Sequence, residues 1–214
     1  MTQPDIGAKT PEEFWEDIYE NASPKTSGTP SKILAHYVRG RAPSQALDLG
    51  CAKGDDAVWL ARQGWHVLGV DISQMALKIA AGNAARNGVT DRVTLEQHDL
   101  SKSFPKGSFD LVSALFLQTP FEFPRASVLQ AAASAVRPSG LLLIAMHQTY
   151  APWSWSDPSE PVIMARERLS EIGLDLAAWR QVFVGPFHRE AKGPDGQTAD
   201  VTDAVLALES AAPL

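Results

Sequence analysis

The chain has 214 residues and a formal net charge of −6, with 19 Lys and Arg against 25 Asp and Glu. The length favours one domain with elaborations, and an acidic chain without a basic run argues against a nucleic-acid partner, which needs clustered positive charge. The single cysteine excludes an intrachain disulfide and a cysteine-based zinc site. With no membrane span and no signal peptide in the pattern, we expect a cytoplasmic monomer or homodimer.

Two helices are predicted ahead of the first strand. Thr10-Pro11-Glu12-Glu13 is a typical helix start, because it combines an N-cap, a proline at the first helical position and a capping-box glutamate. The second helix is capped at residues 29–31 and ends at Gly40. The first helix places four apolar or aromatic residues on one face: Phe14, Trp15, Ile18 and Tyr19.

Five apolar strands then alternate with helices. The predicted strands cover residues 46–49, 65–71, 93–98, 109–114 and 141–146, and the predicted helices cover residues 55–62, 73–87 and 124–136. Arg137-Pro138-Ser139-Gly140 is predicted to turn the chain into the fifth strand. Strands that alternate with helices specify a mostly parallel sheet covered on both faces, and hence an α/β fold.

The pattern changes after the fifth strand. Residues 150–161 are rich in Pro, Ser and Trp and fit neither regular element, and a helix is predicted over residues 161–172. Residues 179–187 and 201–208 alternate as strands around a loop with Gly and Pro, which predicts an antiparallel hairpin at the sheet. No linker interrupts the chain, so we expect residues 1–214 to form a single domain.

Three aspartates, Asp48, Asp71 and Asp99, end the first three strands. Ligands of an open parallel sheet bind beyond the carboxyl ends of its strands. Any one of these aspartates could equally be an N-cap. Together, beside the small-residue loop Gly50–Gly54 and a following helix N-terminus, they predict a site for a nucleotide-like ligand.

A nicotinamide-dependent dehydrogenase is one alternative. Its loop reads G-x-G-x-x-G, with an acidic residue about 20 positions further on. The loop here reads Gly50-x-Ala52-x-Gly54 and lacks the third glycine that packs the helix against the strand. Asp71 fits either interpretation, because a carboxylate there accepts hydrogen bonds from both ribose hydroxyls.

The motifs together resemble the class I S-adenosylmethionine-dependent methyltransferases, whose first motif is (D/E)-x-G-x-G-x-G. Asp71 corresponds to the family's ribose-binding acid, and His98-Asp99 corresponds to the pair that meets the adenine. The fourth strand, the turn at residues 137–140 and the final hairpin also match the family. The resemblance implies a three-layer α/β/α Rossmann-like fold with a seven-stranded sheet, and S-adenosylmethionine as cofactor.

The first helix is similar to the F/Y-W-x-x-x-Y helix of the tellurite-resistance and thiopurine methyltransferase-like branch. In that branch the N-terminal helix and the loop after it fold over the cofactor. The resemblance therefore implies a cover at residues 1–29, a core at residues 30–208 and an insertion near the substrate at residues 148–175. A plain amphipathic helix packed on the sheet is the alternative.

The cofactor-binding residues implied by the resemblance come from the first helix, the loop and the strand tips. They are Trp15, Tyr19, Asp48, Gly50, Cys51, Ala52, Gly54, Asp71, Ile72, His98, Asp99, Leu100 and Leu115. Ala52 departs from the family's glycine. Its Cβ permits the turn if φ is negative, but it narrows the approach of the ligand, so we expect weaker or shifted binding rather than loss.

The methyl group of a sulfonium is already activated, so such an enzyme mainly excludes water and aligns the acceptor. It needs a general base only where the acceptor atom carries a proton at the working pH. His147 is the candidate base, although it could merely cap the fifth strand. Gln118 and Thr119 are the polar groups expected near the transfer zone. Trp153 and Trp155 either cap a flat or cationic acceptor or anchor their loop. Cys51 has no fixed partner that would make it a nucleophile, and the five histidines form no metal-ligand set.

We therefore expect an enzyme that methylates a small molecule at an O, N, S or Se atom. Two alternatives keep the same cofactor site: cyclisation or alkyl transfer from the sulfonium, and a non-catalytic S-adenosylmethionine-binding module. A nicotinamide enzyme ranks last because of the loop spacing.

Overall fold

The computed structural model describes residues 6–24, 26, 28–154, 164–193 and 195–211. The strands are β1 (Gln45–Leu49), β2 (His66–Asp71), β3 (Val93–Gln97), β4 (Phe109–Leu115), β5 (Val136–His147), β6 (Trp179–Lys192) and β7 (Thr198–Ser210). The helices are α1 (Pro11–Glu20), α2 (Lys32–Val38), α3 (Asp55–Arg62), α4 (Gln74–Arg86), α5 (Arg125–Ser134) and α6 (Ala165–Ile172), with a 3-10 turn at Leu176–Ala178.

All seven strands form one sheet in the order β3-β2-β1-β4-β5-β7-β6. Strands β1 to β5 run parallel, whereas β7 is antiparallel to both of its neighbours. The chain builds outward from β1 to β3 and then returns to place β4 on the other side of β1. The strand order therefore reverses between β1 and β4, which is where such sheets bind ligands.

Alternate residues of the strands feed two separate cores, because successive side chains point to opposite faces of a sheet. On one face Leu47 and Ile144 pack in the same cluster as Leu129 of α5 and Leu169 of α6. A second cluster holds the other face against α2, α3 and the end of α4, through residues that include Leu34, Leu60, Ala84, Leu111 and Leu143. The predicted three-layer α/β/α fold with a seven-stranded sheet is confirmed.

The segment at residues 137–140 differs from its prediction as a turn ahead of the fifth strand. β5 already begins at Val136, and the register between β4 and β5 jumps from Phe109–Val136 to Leu111–Leu141. The residues between form a bulge, in which Ser139 has φ +63. Gly140 is required there, because a Cβ would lie 2.8 Å from Val136 Cγ1 and 2.9 Å from the Arg137 carbonyl oxygen.

The C-terminal hairpin is longer than predicted at its outer end. Pairing continues to Lys192 and Thr198, past the apolar alternation on which the prediction rested. Exposed polar residues such as Glu190 and Asp200 pair there, so no pattern of buried residues marks the strands. Of the helix predicted over residues 161–172, residues 161–163 lie outside the described residues, and α6 covers the rest from Ala165. No helix in the described ranges has the length and apolar character to cross a bilayer.

Candidate active site

The loop between β1 and α3 lies at the point where the strand order reverses. The backbone N–H groups of Gly50 and Cys51 both donate to the Val70 carbonyl, at 2.8 and 2.9 Å, which ties the loop to the end of β2. Gly50, Ala52 and Gly54 have φ values of +70, +49 and +77. The loop thus alternates left-handed residues, a conformation that favours glycine.

Ala52 adopts the turn with a positive φ, whereas the sequence analysis allowed a side chain there only at a negative φ. The left-handed turn points the Ala52 N–H toward β2, where it donates to Asp71 Oδ2 at 2.9 Å. Gly54, two residues further along the loop, could not be replaced by alanine in the same way, because a Cβ there would lie 2.9 Å from Ala80 Cβ. Gly54 is the N-cap of α3 and lines neither of the two cavities described below.

Asp71 presents a carboxylate at the end of β2. It accepts hydrogen bonds from the backbone N–H groups of Ala52 at 2.9 Å and Ser73 at 3.0 Å, and it is 7% exposed. Burial raises the pKa of Asp71, and the backbone hydrogen bonds oppose that rise. A carboxylate has about four acceptor positions. Both oxygens therefore keep capacity for further donors, such as the hydroxyls of a ribose.

A cleft opens above Asp71, at the ends of β2 and β3. It brings together eight of the predicted cofactor residues: Trp15, Tyr19, Gly50, Asp71, Ile72, His98, Asp99 and Leu100. Gln118 and Thr119, predicted near the acceptor, line the same cleft. Aromatic residues that the sequence analysis did not single out complete its wall: Phe116, Phe121 and Phe123.

A second cavity adjoins the first at Tyr19 and Gly50, which line both. It holds four more of the predicted cofactor residues: Asp48, Cys51, Ala52 and Leu115. Lys53, Asp55 and Asp56 from the start of α3 also line it. The two cavities share a boundary at the glycine loop, so an elongated ligand can lie across both.

Asp48 supplies a buried carboxyl group to the second cavity. Its side chain accepts a hydrogen bond from Ser113 Oγ at 2.9 Å and is 3% exposed. Burial and the neighbouring Asp56 carboxylate raise the pKa of Asp48 to about 7. Burial likewise raises the pKa of Asp56 to about 6, although its carboxylate accepts the Ser31 N–H at 2.6 Å. Burial and Asp48 raise the pKa of the Cys51 thiol, which does not favour Cys51 as a nucleophile.

Helix α1 extends across the ends of β2 and β3 and closes one side of the cleft. Glu16 fastens it there, because its carboxylate accepts hydrogen bonds from Ser73 Oγ at 2.6 Å and from the Met75 N–H at 3.1 Å. Gln97 adds a second link by donating to Glu12 Oε1 and to the Ile72 carbonyl, each at 2.9 Å. The sequence analysis missed Glu16, since nothing in its spacing reveals a partner 57 residues away.

The polar atoms of His98 and Asp99 are engaged within their own loop. His98 contacts Ser103 through Nδ1 at 2.9 Å and Glu96 through Nε2 at 3.2 Å. Asp99 accepts the Ser101 N–H at 3.0 Å and pairs with Lys102 at 2.7 Å. Burial acts against ionisation of Asp99, but these hydrogen bonds outweigh it and lower its pKa. Both residues border the cleft, with polar atoms already partnered.

His147 lies at the end of β5, outside the residues that line the cleft. Its ring stacks on Phe116, with centroids 4.4 Å apart and planes at 23°, and its Nδ1 lies 3.1 Å from Asp203 Oδ1. Phe116 lines the cleft, so His147 is one aromatic ring away from it. Trp153 is half-buried and lines neither cavity, and Trp155 lies outside the described residues.

Comparison with known proteins is consistent with this arrangement. The family model for a methyltransferase domain matches residues 46–140. Over 145 residues the chain is 32% identical to ajmaline N-methyltransferase of Rauvolfia serpentina, covering 64% of this chain and 47% of that protein. Over 134 residues it is 31% identical to 27-O-demethylrifamycin SV methyltransferase of Amycolatopsis mediterranei, covering 61% and 48%.

A shorter match of 51 residues is 45% identical to ribosomal RNA small subunit methyltransferase C of Alcanivorax borkumensis, covering 24% of this chain and 16% of that protein. The chain therefore spans about half or less of the length of these curated relatives. Their named acceptors differ from one another. The match to the methyltransferase-domain model runs from β1 to the start of β5.

Solved structures share the fold over nearly the whole chain. A protein of disulfide-to-thioacetal conversion in echinomycin biosynthesis superposes with a TM-score of 0.73 at 21% identity, covering 94% of this chain and 93% of that one. TehB from Haemophilus influenzae gives 0.68 at 14% identity, covering 91% and 66%. A Geobacter sulfurreducens methyltransferase in complex with S-adenosyl-L-homocysteine gives 0.61 at 18% identity, covering 90% and 96%.

Proposed function

We propose that this chain is a class I S-adenosylmethionine-dependent methyltransferase that transfers the methyl group of this cofactor to a small molecule, as the methyltransferase-domain match over residues 46–140 and the methyltransferase relatives support. The observation that carries the proposal is the Asp71 carboxylate, which lines the cleft beside a loop of alternating left-handed residues. When bound, S-adenosylmethionine supplies an activated methyl group on a sulfonium centre.

The residues present fit this cofactor in shape and charge. Asp71 offers acceptors for two ribose hydroxyls, and the apolar side chains of Ile72 and Leu100 border the space where an adenine would lie. The adjoining cavity is acidic through Asp48 and Asp56, which suits the cationic amino group and sulfonium of the cofactor. An elongated ligand with a nucleoside at one end and a cationic amino acid at the other matches both spaces.

The contribution of the chain to catalysis is exclusion of water and alignment. Helix α1, held by Glu16, closes one side of the cleft, and Gly28 is fixed to the start of α3 because Asp55 accepts its N–H at 2.9 Å. A closed cleft prevents water from reaching an activated methyl group. Because an aligned acceptor has already lost its translational and rotational entropy on binding, alignment can lower the activation free energy by roughly 7–11 kcal/mol in well-oriented systems.

For the acceptor we propose a small molecule with a reactive O, N, S or Se atom. The named substrates of two relatives, ajmaline and a demethylrifamycin, support this class. We assign His147, Gln118, Thr119, Trp153 and Trp155 to the acceptor side, as the sequence predicts. The single domain of residues 1–214, the monomeric or homodimeric state and the cytoplasmic location also stay predictions from the sequence.

The test is product analysis with a panel of acceptors. The protein is incubated with S-adenosylmethionine and a set of phenols, amines and thiols, and the products are separated and weighed by mass spectrometry. We expect S-adenosylhomocysteine and a methylated acceptor to appear in equal amounts. Cyclised or cleaved cofactor in a control without acceptor would indicate different sulfonium chemistry. Binding of the cofactor without turnover of any acceptor would indicate a binding module.

A further inference from the structure

Behind the wall of the cleft, one buried carboxylate contacts both a histidine ring and an arginine guanidinium group. Asp203 of β7 is completely buried and lies opposite His147 of β5 in the antiparallel pair. Its Oδ1 lies 3.1 Å from His147 Nδ1, and Arg189 of β6 donates to both of its oxygens through Nε and Nη2. A buried charge is tolerated only when it is paired in this way.

This network reaches the cleft through Phe116. The Phe116 ring stacks on His147, and the Arg189 guanidinium carbon lies 5.4 Å from the centroid of the same ring. Phe116 has φ +57, a strained conformation for a bulky residue, and its N–H donates to the Ala145 carbonyl at 2.8 Å. Such strain persists where the surroundings impose it, which is common at functional sites.

The hydrogen bonds define which ring nitrogen of His147 carries the proton. An ionised carboxylate only accepts hydrogen bonds, so Nδ1 must be the donor toward Asp203. The guanidinium of Arg189 pairs with both oxygens of Asp203, and this two-point pairing fixes the orientation of the carboxylate. The other ring nitrogen, Nε2, has no hydrogen-bond partner within the part of the chain that the structure describes, and the side chain is 31% exposed.

We propose that Asp203 and Arg189 are positioning residues, which hold His147 as a base whose Nε2 is left free to take the proton of the acceptor. The inference rests on the proposed function and narrows its substrate class to acceptors that must lose a proton, namely hydroxyl or N–H groups. The acceptor lone pair forms the new bond to the methyl carbon, while the carbon–sulfur bond breaks with its electrons on sulfur. The acceptor proton moves to His147 Nε2.

The first test measures the tautomer of His147 directly and needs no turnover. Long-range proton–nitrogen NMR spectra of the full chain are recorded at a pH where the ring is neutral, and His147→Gln identifies the signal. We expect a proton on Nδ1 and none on Nε2. In Asp203→Asn the amide oxygen still accepts the hydrogen bond from Arg189, and the amide NH₂ faces Nδ1. Because the NH₂ group donates, Nδ1 must now accept, and the ring proton should move to Nε2. Asp200→Asn, an exposed control on the same strand, should leave the spectrum unchanged.

The second test measures turnover and cofactor affinity of the same variants. Asp203→Asn should lower kcat by about 10²–10⁴-fold, the range for loss of a positioned base, with little change in S-adenosylmethionine affinity. Wild-type protein with its neutral ring protonated on Nε2, or Asp203→Asn with wild-type kcat, would overturn the inference. If Asp203→Asn fails to fold, the wild-type spectrum alone decides. If no acceptor is turned over at all, the proposed function fails, while the spectra still report on the network.

Discussion

Ala52 is the middle one of three alternating left-handed residues, and the only one of them with a side chain. A left-handed non-glycine residue costs roughly 1–2 kcal/mol, whereas a glycine costs roughly 0.5–1 kcal/mol of extra chain entropy. We therefore predict that Ala52→Gly leaves the free energy of unfolding unchanged or raises it by up to about 1 kcal/mol. Urea unfolding measures this change, and calorimetry should show equal or tighter binding of S-adenosylmethionine.

The matched control for this substitution is Ala81→Gly, at an exposed position inside α4. Its backbone is helical, so the same change should cost about 1 kcal/mol. Equal losses of stability in both variants, or a large loss of cofactor affinity in Ala52→Gly, would show that the loop does not hold the strained geometry described here.

Asp71 should contribute directly to cofactor affinity, because its carboxylate oxygens face the cleft with acceptor capacity to spare. We predict that Asp71→Ala weakens binding of S-adenosylmethionine by about 1–3 kcal/mol, the usual cost of a lost charged hydrogen bond. Calorimetry measures the change. Asp91→Ala, an exposed aspartate in the loop before β3, is the control and should bind normally; unchanged affinity in Asp71→Ala would refute the ribose assignment.

Asp48 should make stability fall as the pH rises. Its folded pKa of about 7 lies above the ordinary aspartate value of 3.8, so the folded state keeps the proton to a higher pH than the unfolded chain does. Its stabilising contribution is thus complete below about pH 4 and is lost as the pH rises through about 7. Asp48→Asn keeps an acceptor for Ser113 but carries no charge.

We therefore predict that Asp48→Asn is more stable than the wild type at about pH 8, by at least about 1 kcal/mol, since one pKa unit corresponds to about 1.4 kcal/mol. The advantage should shrink toward about pH 5. Urea unfolding at both pH values measures it, with exposed Asp91→Asn as the control. A wild type that loses no stability between these pH values would contradict the burial of a titrating carboxyl group.

At the residue scale, the sequence predicts those site residues that occur next to strand ends. Asp48, Asp71 and the loop after β1 are found from local spacing, and the structure gathers them in one place. The roles of Glu16 and Asp203 were not predicted, because they depend on partners 57 and 56 residues away. Nothing local distinguishes such residues from ordinary surface or core acids.

At the scale of elements, α1 is predicted to act as the cover of the cleft. Glu16→Ala removes the acceptor of the Ser73 hydroxyl and the Met75 N–H. We expect faster amide hydrogen exchange over residues 11–20 and an affinity for S-adenosylmethionine lowered by about 3–10-fold, because hydrogen bonds to charged groups contribute about 1.5–3 kcal/mol and only part of this acts on binding. Glu20→Ala, at the exposed end of the same helix, is the control.

If the amide hydrogens of residues 11–20 exchange as slowly in Glu16→Ala as in the wild type, the helix is held by its aromatic face instead. Phe14 is buried against Phe121, with centroids 5.4 Å apart, and offers that alternative anchor. The plain amphipathic helix considered from the sequence would then describe α1 better than a cover fastened by Glu16.

Most element boundaries follow from local patterns, and the exceptions have physical causes. The Thr10 capping box and the start of α3 were predicted to the residue, because caps and glycines mark them. The bulge at residues 137–140 and the outer end of the hairpin were not predicted, because a shifted register and exposed strand pairs leave no periodic pattern of apolar residues in the sequence.

At the scale of the whole molecule, alternation of strands and helices predicts a parallel sheet but not the order of its strands. The resemblance to the methyltransferase family predicted seven strands with an antiparallel final hairpin, whereas the order, with β7 between β5 and β6, comes from the structure. That order places β1, β2 and β3 side by side and brings the predicted aspartates at their ends to one edge of the sheet. Fold and cofactor were thus predictable from sequence, whereas the acceptor depends on side chains that only the tertiary structure assembles.

Calorimetric titration of the wild-type chain with S-adenosylmethionine, S-adenosylhomocysteine and NAD tests the central claim most directly. The paired cavities around Gly50 and the Asp71 carboxylate predict saturable binding of both sulfur nucleosides and none of NAD. Saturable binding of NAD without binding of either sulfur nucleoside would contradict the account.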